Sequence, residues 1–332
     1  MTHSYVVSVV VAARNESKNL KNLLNDLVNQ NYLKEKLEII IADDRSSDGT
    51  WEIISEYAHR FSNIKGIRIS KKSEKMTPKK HALSSAISAS KGEVILSTDG
   101  DCRVPKTWVS SMVSYLGKNT GVVAGFSSIH SQSNVLSKFQ FVDFLLLMFA
   151  NAGAVGMGFC WAGSGQNIAY KKKYFNEIGG FNPVAKKISG DDVYLVQSIS
   201  KLSKCTFNLS PSGAVTTHPV LSFWQFLNQR IRWASNATEL KNTNKLFLIF
   251  LVSAFVIQLI LLTHIILGLF SLQLLFVFIV KSLFDGIVYL VGSSKLEISL
   301  SLSMFFLWSI LQPVYIPLMG FMGTLGYFKW KP

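Results

Sequence analysis

Residues 37–50, which read LEIIIADDRSSDGT, decide the fold. The apolar run at 37–42 predicts a strand, and the polar turn after it leads to a helix predicted around 50–60. The run YVVSVVVA at 5–12 predicts a strand one unit earlier, and its nearly continuous β-branched residues predict burial on both faces. The sequence also predicts two strands, at 64–69 and 94–97, and two helices, around 20–28 and 79–90, the first of them capped by Asn15 and Ser17.

Alternation of strand and helix is typical of right-handed βαβ units and an open, mostly parallel sheet, which binds ligands at the carboxyl ends of its strands. Acidic residues follow three of the predicted strands at that edge: Glu16, Asp44 and the pair Asp99 and Asp101. Because the first strand is not followed by G-x-G-x-x-G and the chain contains no G-x-x-x-x-G-K-[ST], dinucleotide redox chemistry and P-loop phosphoryl transfer are disfavoured.

Asp99 and Asp101 are separated by one residue after a strand, so both side chains can point into one site. Carboxylate oxygens suit Mg²⁺ or Mn²⁺, which bind through one or two carboxylates together with substrate phosphates. Such an ion neutralises a diphosphate leaving group. The pair therefore predicts a site for a divalent metal and a diphosphate.

The composition is uneven along the chain. The 332 residues carry a formal net charge of +14 and are 48% hydrophobic, which excludes a disordered chain, a small disulfide scaffold and an acidic tail protein. Only five of the 34 basic and two of the 20 acidic residues lie after residue 244. We therefore expect a basic domain over 1–244 and a membrane domain over 245–332. The three cysteines lack metal-ligand spacing and are expected to be free thiols.

Three apolar segments in the last third could cross a membrane: 246–270, 272–291 and 298–325. Lys281 and Asp285 can pair within the second, and Pro313 and Pro317 predict a kink or a break in the third. The run 139–149 is too short to span and is expected to be buried or to lie at the membrane surface.

The positive-inside rule places the basic domain, with Lys241 and Lys245, on the cytoplasmic side of a membrane, which we take to be a bacterial inner membrane. Three full spans would put Lys329 and Lys331 on the opposite side, against the same rule. Two or three spans therefore both remain open.

Seven stretches of the chain carry a recognisable pattern when they are taken together and in order. They are VVVAARNES (9–17), IADDRSSDGT (41–50), Lys79-x-x-Ala82-Leu83, STDGDCRVPKTW (97–108), GSGQNIAYKKKYFNEIGGF (163–181), Gly190-Asp191-Asp192 and Gln229-Arg230-Ile231-Arg232-Trp233. Together they resemble the family 2 glycosyltransferases, which have a GT-A fold. The resemblance covers roughly residues 5 to 235, and its final motif resembles the Q-x-x-R-W of membrane-bound members such as cellulose and hyaluronan synthases.

The resemblance implies a role for each matching residue. Asp44 would bind the nucleotide base, often uracil, and Asp99 and Asp101 would hold the nucleotide-sugar and its divalent metal. Asp192, with Asp191 beside it, would be the catalytic base for an acceptor hydroxyl. The remaining positions are assigned to donor binding (Glu16, Lys79, Gln229 and Arg232) and acceptor binding (Gly165, Asn167 and Trp233).

The function that this resemblance implies is inverting transfer of a sugar, often from a UDP-sugar, to a lipid-linked or membrane-proximal glycan acceptor. Two alternatives remain. A processive polysaccharide synthase would use the same Q-x-x-R-W motif, but we predict no membrane span before the catalytic domain and at most three after it. A non-catalytic membrane scaffold would not need the set of acidic residues. Clustered lysines such as 171–173 are expected to face solvent or anionic membrane lipids, and no nucleic-acid platform is predicted.

Overall fold

The computed structural model describes residues 5–130, 134–238 and 244–328. Lys241, Lys329 and Lys331, on which the topology argument depends, lie outside the described residues. The strands are β1 Val7–Ala13, β2 Leu37–Asp44, β3 Ile64–Ile69, β4 Val94–Asp99, β5 Thr120–Gly125, β6 Ser127–Ile129, β7 Ile168–Lys171, β8 Lys204–Asn208 and β9 Val215–Thr217. The α-helices are α1 Leu20–Val28, α2 Thr50–Arg60, α3 Pro78–Ala89, α4 Trp108–Ser114, α5 Val135–Gly156, α6 Lys172–Glu177, α7 Asp191–Ser200, α8 Phe223–Ala234, α9 Lys245–Ile266, α10 Leu272–Lys295 and α11 Leu302–Thr324.

The chain forms two compact units. The first contains Met1–Ser128 and Asn151–His218, and the second contains Ile129–Ala150 and Pro219–Pro332. This division differs from the boundary expected at residue 244, because α8 and much of α5 belong with the apolar helices. Those two helices precede the change in composition, so charge counting could not assign them.

The first unit is built on a mixed sheet. Seven strands of the described residues form it in the order β3-β2-β1-β4-β7-β5-β8. β1, β2, β3 and β4 pair in parallel, as predicted, whereas β7 is antiparallel to both of its neighbours. The predicted open and mostly parallel sheet is therefore confirmed, and all its predicted strands lie within two residues of their expected ends.

The apolar runs are buried because helices cover both faces of the sheet. Along β1, Val9 and Val11 pack into one core with α1, whereas Val10 packs into a second core with α3. All three valines are fully buried. Since alternate side chains of a strand point to opposite faces, a continuous β-branched run is what a strand between two helix layers requires. The three cysteines are free and buried, as expected.

The second unit is dominated by apolar helices. Among the described residues, four helices are long and apolar enough to cross a membrane: α5, α9, α10 and α11. α10 is largely exposed, with 6% of its most apolar stretch buried, whereas 67% of that stretch is buried in α5. These helices indicate that the protein associates with a membrane.

The structure corrects the predicted length of one of these helices and excludes one of the two outcomes predicted for another. α5 is 22 residues long, whereas the apolar run predicted only residues 139–149. Polar side chains such as Lys138 and Asn151 interrupt the apolar pattern without ending the helix. α11 is one continuous helix with Pro313 and Pro317 inside it rather than two pieces. A break would leave more backbone groups without partners in an apolar environment.

Candidate active site

The loops that follow β1 and β2 are joined by hydrogen bonds. The amide of Asn15 donates to Ser46 Oγ at 2.9 Å, and its side-chain oxygen accepts from the amide of Ser47 at 2.9 Å. The amide of Ser17 donates to Asp48 Oδ2 at 3.0 Å. Asn15 and Ser17 therefore connect two loops and do not cap α1, whose N-cap is Asn19. These bonds give the carboxyl edge of the sheet a defined shape.

Asp48 is the main acceptor in this connection. Burial raises its pKa, but hydrogen bonds from Thr50 and Ser17 outweigh burial and lower the pKa to about 2. The carboxylate is therefore ionised at neutral pH and available to both donors. Gly49, which follows it with φ of +89°, lets the chain turn into α2.

Asp44 lies at the end of β2 and is almost fully buried. Arg45 binds both oxygens of the Asp44 carboxylate, at 2.9 and 3.0 Å, and Arg14 Nη1 lies 3.5 Å from Oδ2. Arg45 has φ of +57°, a conformation that a residue with a Cβ adopts at some cost. The residue predicted to bind a base is therefore held between two arginines.

Asp99 ends β4, and its Oδ1 lies 2.7 Å from Lys79 Nζ in the first turn of α3. Both side chains are more than a quarter exposed, so a ligand can reach the pair. Glu16 packs closely against the turn after Asp99. A Cβ added at Gly100 would lie only 3.1 Å from Glu16 Cγ. Glycine at position 100 thus lets the Asp99–Asp101 turn approach the loop that follows β1.

Asp192 lies in the first turn of α7. Its Oδ2 accepts from the amide of Gly165 at 3.1 Å, and its Oδ1 accepts from the amide of Val193 at 2.8 Å. Burial and the neighbouring Asp191 raise its pKa to about 6, although the two amides and Lys79 partly offset this. A carboxylate with a pKa near the working pH is suited to accept and release a proton.

Lys79 connects these carboxylates. Burial lowers its pKa, but Asp99, Asp191 and Asp192 together outweigh burial and raise it. A Cβ added at Gly165 would lie 3.7 Å from Lys79 Nζ and 3.8 Å from Asp192 Oδ2. Residues from β4, α3, α7 and the loop before β7 therefore meet at one place in the first unit, although they are up to 113 positions apart in sequence.

The donor set for a metal is small. The described residues contain no group of three or more His, Cys, Asp or Glu side chains that could hold a metal ion. Asp99 and Asp101 offer carboxylate oxygens at a half-buried turn, and a divalent ion that also binds substrate phosphates needs only one or two protein carboxylates. The two residues therefore fit a metal that arrives with a diphosphate.

Asn167 is fully buried, and its side chain is occupied. Its Oδ1 accepts from the indole of Trp108 at 2.9 Å, and its Nδ2 donates to the carbonyls of Phe126 and Gly213 at 2.8 Å each. This placement ties internal segments of the first unit together and does not support the direct acceptor contact predicted from the sequence.

The Q-x-x-R-W stretch lies on α8 in the second unit. Gln229 Oε1 accepts from Arg230 Nη1 at 3.2 Å. The Trp233 ring lies beneath the Arg230 guanidinium, with 4.1 Å between the guanidinium carbon and the ring centroid, and its centroid is 5.8 Å from that of Phe144. Arg232 is partly buried in the last turn of the helix.

Sequence reasoning missed the arginines that bind Asp44 and the loop contacts of Asn15 and Asp48. Arg45 directly follows Asp44 in sequence, and that adjacency was a usable signal. The contacts of Arg14 and Asn15 are made across 30 or more positions, so no local pattern could have identified them.

Comparison with known proteins identifies the family. The model of Glycosyl transferase family 2 matches residues 8–179, and that of Glycosyl transferase family group 2 matches residues 94–326. The chain is 29% identical over 233 residues to the probable glycosyltransferase YdaM of Bacillus subtilis, covering 69% of this chain and 54% of that protein. It is 26% identical over 235 residues to the beta-monoglucosyldiacylglycerol synthase of Trichormus variabilis, covering 70% and 49%. The chain thus spans about half the length of the curated relatives it matches.

A solved structure resembles nearly the whole chain. It is the mannosyltransferase PcManGT from Pyrobaculum calidifontis in complex with GDP-Man and Mn²⁺, with a TM-score of 0.61 at 16% identity over 97% of this chain and 87% of that one. The fold is accordingly a GT-A domain with apolar helices, as the sequence predicted. The family models and the relatives identify the protein as a glycosyltransferase. The family matches are specific, and the chain belongs to glycosyltransferase family 2.

Proposed function

We propose that this glycosyltransferase transfers a sugar, with inversion, from a nucleotide-sugar to a lipid-linked or membrane-proximal glycan acceptor. The observation that carries the proposal is that Asp99, Lys79 and Asp192 lie together. The proton acceptor, Asp192, is therefore next to the Lys79 cation and to the turn after Asp99, where we propose that the diphosphate binds. The donor is a UDP-sugar in this proposal, which rests on the resemblance of the residues around Asp44 to the base-binding motif of the family.

In the proposed reaction the acceptor oxygen attacks the anomeric carbon, and the bond from that carbon to the diphosphate breaks. Asp192 takes the acceptor proton, and the bond electrons leave with the nucleoside diphosphate. General-base assistance of this kind contributes about 10²–10⁴-fold to a rate. The amides of Gly165 and Val193 hold the Asp192 carboxylate in one orientation, so it need not reorganise during the step.

Lys79 has two roles in this proposal. Its ammonium partly neutralises Asp99, Asp191 and Asp192, which lets these three carboxylates lie close together. It is also a donor within reach of a diphosphate bound at the Asp99 turn. Asp99 and Asp101 are the residues that would hold Mg²⁺ or Mn²⁺, which when bound supplies neutralisation of the charge on the leaving diphosphate.

The binding roles of Gln229, Arg232 and Trp233 remain proposals that rest on the family motif. Gln229 and Arg232 are assigned to the donor and Trp233 to the acceptor. The acceptor class is proposed from the apolar helices of this chain, together with its similarity to a beta-monoglucosyldiacylglycerol synthase. The basic charge of the first 244 residues supports a position at the cytoplasmic face of a bacterial inner membrane, in contact with anionic lipids.

A panel of nucleotide-sugars with membrane lipid extract as acceptor tests the proposal, with release of nucleoside diphosphate as the readout. Asp192→Asn should lose turnover by about 10²-fold or more and still bind nucleotide. Glu56→Gln on the exposed face of α2 makes the same change of charge and should turn over normally. Turnover by Asp192→Asn at the rate of the unsubstituted chain would remove Asp192 from the mechanism. Chromatography of the product separates a singly glycosylated lipid from the polymer that a processive synthase would make.

A further inference from the structure

A buried arginine lies inside the Q-x-x-R-W stretch of α8. Arg230 is 4% exposed, and its Nε lies 2.9 Å from Asp143 Oδ2 on α5. Both residues belong to the second unit. Arg230 also contacts two residues that the family motif assigns to substrate, because it donates to Gln229 and lies against the ring of Trp233.

Asp143 has further donors from α11. The indole of Trp308 donates to Asp143 Oδ1 at 3.0 Å, and the hydroxyl of Tyr315 donates to Oδ2 at 3.3 Å. Tyr315 also stacks on Phe226 of α8, with ring centroids 5.9 Å apart and planes 10° apart. A single carboxylate thus connects α5, α8 and α11 of the second unit, and it pairs with α8 through Arg230.

The contacts continue to a second ion pair within α10. Lys281 Nζ lies 5.0 Å from the Trp308 ring centroid and 2.7 Å from Asp285 Oδ2. The chain of contacts therefore contains two basic and two acidic side chains, so its formal charges balance. Trp308 is the side chain that joins the two pairs.

Stability alone does not explain the Asp143–Arg230 pair. Removing two charges from water costs free energy, and replacing a buried ion pair by apolar residues of similar volume is often neutral or stabilising. Apolar side chains would pack α8 against α5 and α11 equally well, but they would not select one rotation of α8. The ion pair does select one, because the Arg230 guanidinium must face a carboxylate that hydrogen bonds from Trp308 and Tyr315 already orient.

We propose that Asp143 and Arg230 are positioning residues that set the rotation of α8 and hold Gln229 and Trp233 in their working conformations. This inference rests on the proposed function of those two residues. Arg230 transmits the constraint, because its Nη1 is bonded to Gln229 Oε1 and its guanidinium plane supports the Trp233 ring. Without Asp143, Arg230 loses its anionic partner, and both motif side chains lose a fixed neighbour.

The test compares single and paired substitutions in the full-length chain in lipid nanodiscs. Asp143→Asn leaves an uncompensated buried charge and should lower Tm. The double variant Asp143→Leu/Arg230→Met removes both charges and should keep Tm near that of the unsubstituted chain, while kcat/KM falls by about 10²-fold, the size of loss that a displacement of about 1 Å can cause. kcat should decrease, and the KM for the donor should increase.

The matched control is Lys281→Met/Asp285→Leu, which removes the other ion pair without touching α8. Its kcat/KM should stay within about twofold of that of the unsubstituted chain, the range expected when no substrate-binding helix is disturbed. Arg230→Lys keeps the charge but loses the planar donor set, and should recover only part of the activity that the double variant loses. A stably folded Asp143→Leu/Arg230→Met enzyme with full kcat/KM would overturn the inference.

A second readout does not need turnover. In the chain labelled with fluorotryptophan, the ¹⁹F signal of Trp233, assigned with Trp233→Phe, should shift or broaden in Asp143→Leu/Arg230→Met and stay unchanged in the control pair. If the unsubstituted chain turns over no donor, the proposed function fails, and the ¹⁹F signal still decides whether the pair positions Trp233. An unchanged Trp233 signal in the double variant refutes the positioning role.

Discussion

The pH dependence of turnover tests the charge balance around Asp192. Burial and Asp191 raise the pKa of Asp192 to about 6, and Lys79 opposes them. Asp192 accepts a proton only as the carboxylate, so kcat/KM should rise with pH through about 6. Lys79→Met removes the opposing positive charge and should raise the pKa of Asp192 further, which moves the acidic limb of the profile to higher pH.

The size of the shift follows from the geometry at Gly165. Lys79 Nζ and Asp192 Oδ2 lie within 3.7 and 3.8 Å of the same point. They are therefore at most about 7.5 Å apart, where unit charges interact by about 2 kcal/mol at an effective dielectric constant of about 20. The Lys79 side chain is 29% exposed, so solvent screening reduces this to roughly 1 kcal/mol. We therefore expect the limb to move up by about one pH unit.

The assay is release of nucleoside diphosphate, measured at low donor concentration across the range around the pKa of Asp192. Lys79→Arg is the matched control, because it retains the charge and should leave the limb in place. The maximal kcat/KM that Lys79→Met reaches at high pH should also be lower than that of the unsubstituted chain, since Lys79 pairs with Asp99. An acidic limb that does not move in Lys79→Met, or that moves to lower pH, refutes the assignment of Asp192 as the titrating base next to Lys79.

Three further predictions concern the frame of the site and its metal. Gly125→Ala would place a Cβ against the buried amide of Asn167 and should lower the free energy of unfolding by about 1–3 kcal/mol. The control Gly165→Ala makes only ordinary contacts and should unfold at nearly the Tm of the unsubstituted chain, so equal Tm values for the two variants would contradict this packing. Asp48→Asn should lower Tm at neutral pH, and the difference in Tm from the unsubstituted chain should close as pH falls from 3.8 toward about 2. A carboxylate whose pKa is lowered by folding adds stability above its ordinary pKa and loses it on protonation. A difference in Tm that persists at the lowest pH would point to another cause. Chelation of divalent cations should abolish turnover and added Mg²⁺ or Mn²⁺ should restore it, measured by diphosphate release; full turnover in excess chelator would exclude the metal from the mechanism.

The strands that place the first half of the site could be predicted because they carry a strong local signal. β1 and β2 are continuous runs of β-branched and aliphatic residues, and the acidic groups directly follow them. The antiparallel β7 was missed, because its four residues show neither a long apolar run nor a clear alternation. The residues around Asp192 were assigned through the family resemblance, since a pair of aspartates at the start of a helix is common.

The detailed contacts of the site could not be predicted in the same way. The sequence favoured a capping role for Asn15, which precedes a predicted helix, and the family resemblance implied an acceptor role for Asn167. The structure gives Asn15 a partner in the next loop and surrounds Asn167 with buried hydrogen-bond partners. Partners such as Trp108 and Gly213 are distant in sequence, so the choice between a structural and a functional amide depends on tertiary packing.

The sequence by itself determined the parallel half of the sheet, the acidic residues at its carboxyl edge, the apolar character of the last third and, through its motifs, the family. These are local properties, since periodicity and composition act over a few turns or residues. Only the tertiary structure decided that Lys79 lies among Asp99, Asp191 and Asp192, that Asp44 is bound by Arg45 and Arg14, and that Asp143 pairs with Arg230 of α8. Such pairings depend on which elements pack together, and the burial that shifts the pKa of Asp192 exists only once they have done so.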